Sequence, residues 1–346
     1  MRKDPKLKPA NEQSTAETDK RQDSESTQEK VSVQVHSKAN PLLSEEFVRK
    51  GSSRIIRGKP DLVDLVDSGA KVAKEGPKVR ANPQNVEIYR ERIVEYLLQK
   101  DQQKRVAHDY LESVESLNEK RRGVLVDWLV NVAVKFKVLD ETVFSAVWIM
   151  DRFFARDCRV QKDQLQLVCI TCLMISAKME EVYPPSMADY VEICDKAYSP
   201  IDLLDMEAHI LSVLQFEITV TTSLHLFRFF CRDLNISKKS FFFGEYLLHS
   251  LLLDVKSLRF TQNELASAAI FLVNKMFKEK IVWAPLLSEA TCVGEKRVKT
   301  VAKEAYKIFK KVNAKDWEAV KEKFSRVEVM EVAKFKVERV SRSAKS

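Results

Sequence analysis

Asn118-Glu119-Lys120-Arg121-Arg122-Gly123-Val124-Leu125-Val126-Asp127-Trp128-Leu129-Val130 reads as the opening of an amphipathic helix. Asn118 offers an N-cap oxygen, and Glu119 lies in the first turn, where the helix dipole favours negative charge. Val124, Leu125, Trp128, Leu129 and Val132 then recur at three- and four-residue intervals, the period of a helix with one apolar face. The same period extends in both directions. Upstream, Ile88, Tyr89, Ile93, Tyr96 and Leu97 follow it, with order expected from Asn82-Pro83. Downstream it predicts helices over 141–156, 162–181 and 201–214. Pro184-Pro185 ends one of these, since neither proline has an N–H to donate, and Ser199-Pro200 sits where proline suits a helix start. From Thr222 the pattern begins again, over 223–233, 239–254, 262–278 and 295–312. Laid over each other, the third segments of the two halves match Leu165, Ile170 and Lys178 with Leu265, Ile270 and Lys278. The expected architecture is all-α, two successive bundles of about five helices each.

Composition agrees. Of 346 residues, 45% are hydrophobic, enough for a sizeable core, and after residue 83 glycine occurs only at 123, 244 and 294. Hairpins need more such punctuation, and there is neither a GxGxxG nor a P-loop pattern to cradle phosphates. The net charge of +8 suits an acidic partner. Acidic and basic residues are read as interspersed, with no concentrated basic stripe, so nucleic acid is not an expected partner. Apolar runs break before membrane-spanning length, so no membrane association is expected. Met1 to Ala10 lacks the apolar core of a signal peptide, and the six scattered cysteines are expected to be reduced thiols, as in the nucleus or cytoplasm. Residues 1–82 are polar, with Phe47 as their only aromatic, and are expected to form a disordered regulatory tail. Residues 83–220 and 221–330 are expected to be the two folded domains, followed by a flexible tail over 331–346.

Linked motifs over about 140 residues give the chain a resemblance to the cyclin family, specifically its mitotic A and B types. The 118–130 segment resembles the family's "NEKMRAILVDWLVEV". Asp151-Arg152-Phe153-Phe154 is similar to "DRFL", and Leu165-Gln166-Leu167-Val168 to "LQLV". Ser176 to Pro185 resembles "ASKYEEIYPP", while Asp205-Met206-Glu207 and Leu214 to Ile218 are similar to "RMEHLIL" and "LxFDL". The second half is similar in pattern only. The resemblance implies two tandem five-helix cyclin boxes behind an N-terminal helix. It also implies a non-enzymatic subunit that activates a cyclin-dependent serine/threonine kinase at the G2/M transition, with no cofactor. The rival is a cyclin-box adaptor of the transcription machinery, though no zinc ribbon or strongly basic repeat is seen. The motifs fit A and B types alike, and Asn131 leans toward B.

By the same resemblance, Lys178 and Glu207 bind the kinase. An ammonium donates to backbone carbonyls and a carboxylate accepts backbone N–H groups, so the pair can grip a helix by its exposed ends. Met179, Glu180, Glu181, Tyr183, Phe216 and Ile218 match surrounding contact positions, and Tyr89 and Tyr96 match those of the preceding helix. Met179 stands where the family has an aromatic ring. Arg122 and Asp151 resemble a pair tying two helices together. Val124, Leu125, Trp128 and Gln166 match an apolar patch that docks substrates through basic-x-leucine motifs. Arg121 in place of methionine and Asn131 in place of an acidic residue imply a weakened or altered preference there. A mitotic cyclin's tail would engage ubiquitin-ligase machinery, but residues 1–82 contain no RxxL. The one match, Arg122 to Leu125, falls within the predicted helix, and no KEN occurs.

Other chemistry finds no support. Cys169 and Cys172 form a CxxC inside an apolar helix without the second pair a zinc site needs, and are read as small core residues. His209 and His225 are read as packed, and the five histidines are dispersed without a nucleophile or metal grouping.

Overall fold

The computed structural model describes residues 89–335, apart from 233, 235, 280, 282–290 and 315–316. The expected tail over 1–82 and the start of order at Asn82-Pro83 therefore lie outside the described residues. Those described are helical throughout, without a strand. A leading helix α1 (Arg90–Gln103) is followed by α2 (Glu119–Phe136), α3 (Asp140–Arg156), α4 (Leu165–Glu180), α5 (Met187–Ile193) and α6 (Pro200–Val213). A second set comprises α7 (Ser223–Cys231), α8 (Lys238–Leu252), α9 (Gln262–Phe277), α10 (Glu295–Asn313) and the short α11 (Glu318–Lys323).

Caps set most starts as the sequence indicates. Asn118 Oδ1 accepts the Arg121 N–H at 2.9 Å. Ser186 with Asp189, Ser199 with Asp202 and Thr261 with Glu264 form reciprocal capping boxes, each satisfying donors that a helix leaves open. α4 and α9 are the central helices. From Leu167 to Ala177 every residue of α4 is buried, and a helix that is apolar all round belongs inside. In α9, Leu265 to Ile270 are buried without a break. The overlaid residues behave accordingly: Leu165, Ile170, Leu265 and Ile270 are all core. Lys178 occupies the last turn of α4, whereas Lys278 is the left-handed cap just past α9.

Two glycines serve close packing. A Cβ on Gly123 would come within 2.6 Å of the Trp317 ring, and one on Gly244 would overlap the Phe227 ring. Trp317 thus seats on α2, and beside it Asp127 Oδ2 accepts the Ala319 N–H at 3.4 Å at the start of α11. Asp101 of α1 likewise accepts the N–H groups of Gln262 and Asn263 at 3.0 and 2.9 Å, capping α9 from outside. The flexible tail expected from residue 331 begins too early. Val332 is fully buried and Phe335 stacks on Phe277, because α8 and α9 present an aromatic surface that this segment covers.

Candidate partner-binding surface

Lys178 ends α4 and Glu207 lies mid-way along α6, and these helices pack side by side. Lys178 Nζ donates to both carboxylate oxygens of Glu207, at 2.6 and 2.7 Å. The lysine side chain is 48% exposed and the glutamate 14%. Around them Met179, Tyr183 and Phe216 turn large apolar surfaces to solvent, Tyr183 at 86% and Phe216 at 72%. Val182, Ile201 and Leu204, which motif matching did not single out, are exposed in the same stretches. Their signal was available: Ile201 and Leu204 sit one turn apart on the face of α6 that leads to Glu207.

Phe216 is presented by an unusual backbone. After α6, Gln215 and Phe216 both adopt left-handed angles, φ 52° and 57°, which cost energy for non-glycine residues and persist where surroundings enforce them. The Phe216 N–H bonds back to Leu211 O at 2.9 Å. Arg156 reaches Val213 O, Arg152 reaches Glu217 O, and Lys104 at the end of α1 reaches Thr219 O at 2.9 Å. Arg152 also pairs with the Glu217 carboxylate, holding that carboxyl below its ordinary pKa. The turn is thereby pinned from two helices.

Other predicted contacts have different surroundings. Glu181 Oε1 accepts the Leu139 N–H and the Thr142 hydroxyl, each at 2.6 Å, and Glu180 accepts from Ser145 at 3.1 Å. Leu139 precedes α3 and has no capping side chain of its own, so Glu181 supplies the cap from a distant segment. Ile218 is half-buried against the core. Tyr89, at the N-cap of α1, and Tyr96 on α1 are exposed, with Lys100 Nζ 5.5 Å from the Tyr96 ring.

The docking-patch residues split. Val124 and Asn131 are exposed, while Leu125, Trp128 and Gln166 are half-buried, the first two packed on the core. Arg121 folds back, its Nη1 donating to Ser116 O at 2.9 Å. Arg122 and Asp151 are fully buried and joined by two bonds of 2.6 Å. Tyr110 donates to Asp151 at 2.7 Å, and Arg122 Nη1 donates to Leu252 O at 2.8 Å. The pair therefore ties α2 and α3 to each other and to the end of α8. Burial alone would lower the Arg122 pKa, but Asp151 overrides it and holds the guanidinium charged.

A further charged group escaped sequence reasoning. Arg228 of α7 meets Asp140, Glu141 and Glu245, and Lys323 of α11 meets Asp140, with His249 buried among them. Its members come from four helices, and no local pattern brings them together. Cys169 and Cys172 are core residues whose thiol pKa values burial pushes up. His209 is not packed as expected: its ring is 44% exposed and bonds Asp157 at 2.9 Å. Among the described residues no His, Cys, Asp and Glu group could hold a metal ion, and no helix is long and apolar enough to cross a membrane.

The family model for the cyclin N-terminal domain matches residues 92–219, and that for the cyclin C-terminal domain matches 220–338. The chain is 30% identical over 290 residues to a G2/mitotic-specific cyclin-B of Dictyostelium discoideum, a match covering 80% of this chain and 66% of that protein. It is 34% identical over 250 residues to a putative cyclin-A3-1 of Arabidopsis thaliana, covering 70% of each. About a third of either relative thus lies outside the match. Among solved structures, a viral cyclin from herpesvirus saimiri superimposes with a TM-score of 0.56 at 13% identity, over 64% of this chain and 97% of that one, a likeness of fold. The domain matches, the relatives and the tandem helical bundles together place this chain in the cyclin family, as a cyclin-box protein related to the mitotic B and A types.

Proposed function

We propose that this chain is the regulatory, non-catalytic subunit of a cyclin-dependent serine/threonine kinase, acting at the G2/M transition in nucleus and cytoplasm. The observation that carries the reading is the Lys178–Glu207 pair, its lysine half-exposed and its glutamate largely covered, set among outward-facing Met179, Tyr183 and Phe216. In the free chain the two side chains satisfy each other. A partner helix offering backbone carbonyls to the lysine and N–H groups to the carboxylate replaces that mutual bond. An exposed ion pair contributes only about 0–1 kcal/mol, so the exchange costs little and the side chains begin correctly placed. The aromatic and apolar surroundings supply most of the binding energy, as interface anchors do. To shift a kinase from 1:99 to 99:1 in favour of its active form, the subunit must bind that form about 5.5 kcal/mol more tightly. Glu180 and Glu181 act by position: they hold the start of α3 and so fix the segment carrying Tyr183.

The Val124–Trp128 face is the proposed substrate-docking patch. With Arg121 at its lip and Asn131 uncharged, it captures arginine- and alanine-bearing motif peptides almost equally; a strong arginine requirement would overturn this part. The kinase reading is tested by co-purification and a histone kinase assay on Lys178→Glu, Glu207→Lys and their double exchange. Each single variant is expected to lose the kinase while remaining helical. The double exchange re-forms the internal pair with reversed polarity, and it too is expected to fail in binding. Retained kinase binding in all three would refute the assignment.

A further inference from the structure

The basic residues are less evenly spread than the sequence reading holds. α10 carries seven Lys or Arg against two Glu, an excess of five out of the chain's formal +8. Its apolar face, Val298, Val301, Ala302, Ala305, Phe309 and Val312, is buried. Opposite it, Lys296, Lys299, Lys303, Lys307 and Lys310 are all exposed and follow one another at three- and four-residue steps. Such steps keep residues on one helical stripe, here roughly 21 Å long at about 1.5 Å per residue. Glu295 and Glu304 border the row, paired with Lys299 at 2.8 Å and Lys307 at 2.7 Å. Exposed Arg259 acts on Glu304 from the neighbouring turn. Lys311 turns away to Asp254 at 2.8 Å. At its C-terminal end the row runs into a groove of about 500 Å³ lined by Lys310, Lys321, Tyr306, Ala333 and Phe335.

We infer that this face of α10 is a second interaction surface, distinct from the Lys178–Glu207 region, and that it takes an extended acidic peptide tract ending in an aromatic residue. Carboxylates spaced along an extended chain meet the lysine row, and the aromatic side chain enters the groove. The row itself contains no arginine, so it lacks the bidentate forks that read base edges. Of the aromatics on α10, Phe309 is buried and Tyr306 stands only at the groove end of the row, so no run of exposed rings lines it for successive bases to stack on. Both features favour an acidic peptide over nucleic acid.

The test uses the full chain and fluorescence anisotropy with a labelled oligoglutamate peptide ending in phenylalanine. Binding is expected at low salt, weakening as salt screens the contacts. Lys296→Glu/Lys303→Glu/Lys307→Glu should weaken it about tenfold or more. The milder Lys296→Gln/Lys303→Gln/Lys307→Gln variant, checked for native helicity, should weaken it in the same direction. Ending the peptide in alanine should cost about threefold. Absence of binding, an affinity unchanged in both triple variants, no loss with the alanine peptide, or tighter binding of duplex DNA of equal charge would overturn the proposal.

Discussion

Arg122–Asp151 and Lys178–Glu207 each join residues 29 positions apart on adjacent helices of the first bundle, and each closes at 2.6 Å. They differ in what surrounds them. The first pair is 1–2% exposed, and Tyr110 and Leu252 take up its further hydrogen-bonding capacity. The second opens to water through its lysine, while its carboxylate is 14% exposed at the rim of the surface, so both groups can still exchange partners. A buried ion pair contributes little net stability over an apolar one, yet losing one member leaves a charge stranded. An exposed pair is dispensable to the fold and so is available for binding. Burial rather than chemistry assigns the two roles.

The largest effect that can break this comparison is at Asp151. Asp151→Asn should destabilise the chain by about 3–5 kcal/mol in urea unfolding, while Glu207→Gln should stay within about 0.5 kcal/mol. Similar losses would erase the distinction. Next is Gly123→Ala, one residue from Arg122. In an open helix this change stabilises by about 1 kcal/mol. Here the added methyl meets Trp317, and a loss of about 1–3 kcal/mol is expected, so the sign decides whether the buried region can yield. Glu181→Ala, which removes the distant cap of α3, should lower stability by about 1 kcal/mol, more than Lys178→Ala only three residues away.

The smallest effect concerns the Arg228 group, which lies between the two extremes. Burial raises Glu245 to about 7 in spite of Arg228. A carboxyl that holds its proton more tightly when folded makes stability fall as pH rises from its ordinary 4.5 to about 7, and level off above. His249, lowered by burial and by Lys323, acts in the opposite sense, its contribution declining as pH falls through its ordinary value. Glu245→Gln should remove the first slope and keep the second. The gap between variant and parent should therefore widen with pH up to about 7; parallel stability curves would show that Glu245 is not the titrating group.

The longer helices were legible because the apolar period, the cap at Asn118, Ser199-Pro200 and the double proline are local signals; the short α5 and α11 were not expected, since six or seven residues carry too little of the period. Lys178–Glu207 and Arg122–Asp151 were legible through motif spacing. The use of Glu180 and Glu181 was not, since motif resemblance gives a residue's place and not the direction of its carboxylate. The joining of Arg228 to Asp140 and Glu141, 88 and 87 positions away, has no local signature. The lysine row of α10 was written openly at helical steps but vanished into a whole-chain average of charge.

The seat of Trp317 on Gly123 also bears on how the molecule is made. Asp127, on the same helix as that notch, meets its α11 partner Ala319 across 192 positions. On the ribosome the first bundle must emerge and pack with that notch vacant, and it acquires its cover only when residues 317–323 leave the tunnel. Domains tend to fold as they emerge, but here the earlier one stays unlatched until the later one is complete. Any interruption of synthesis before that point leaves the Gly123 notch without the ring that fills it.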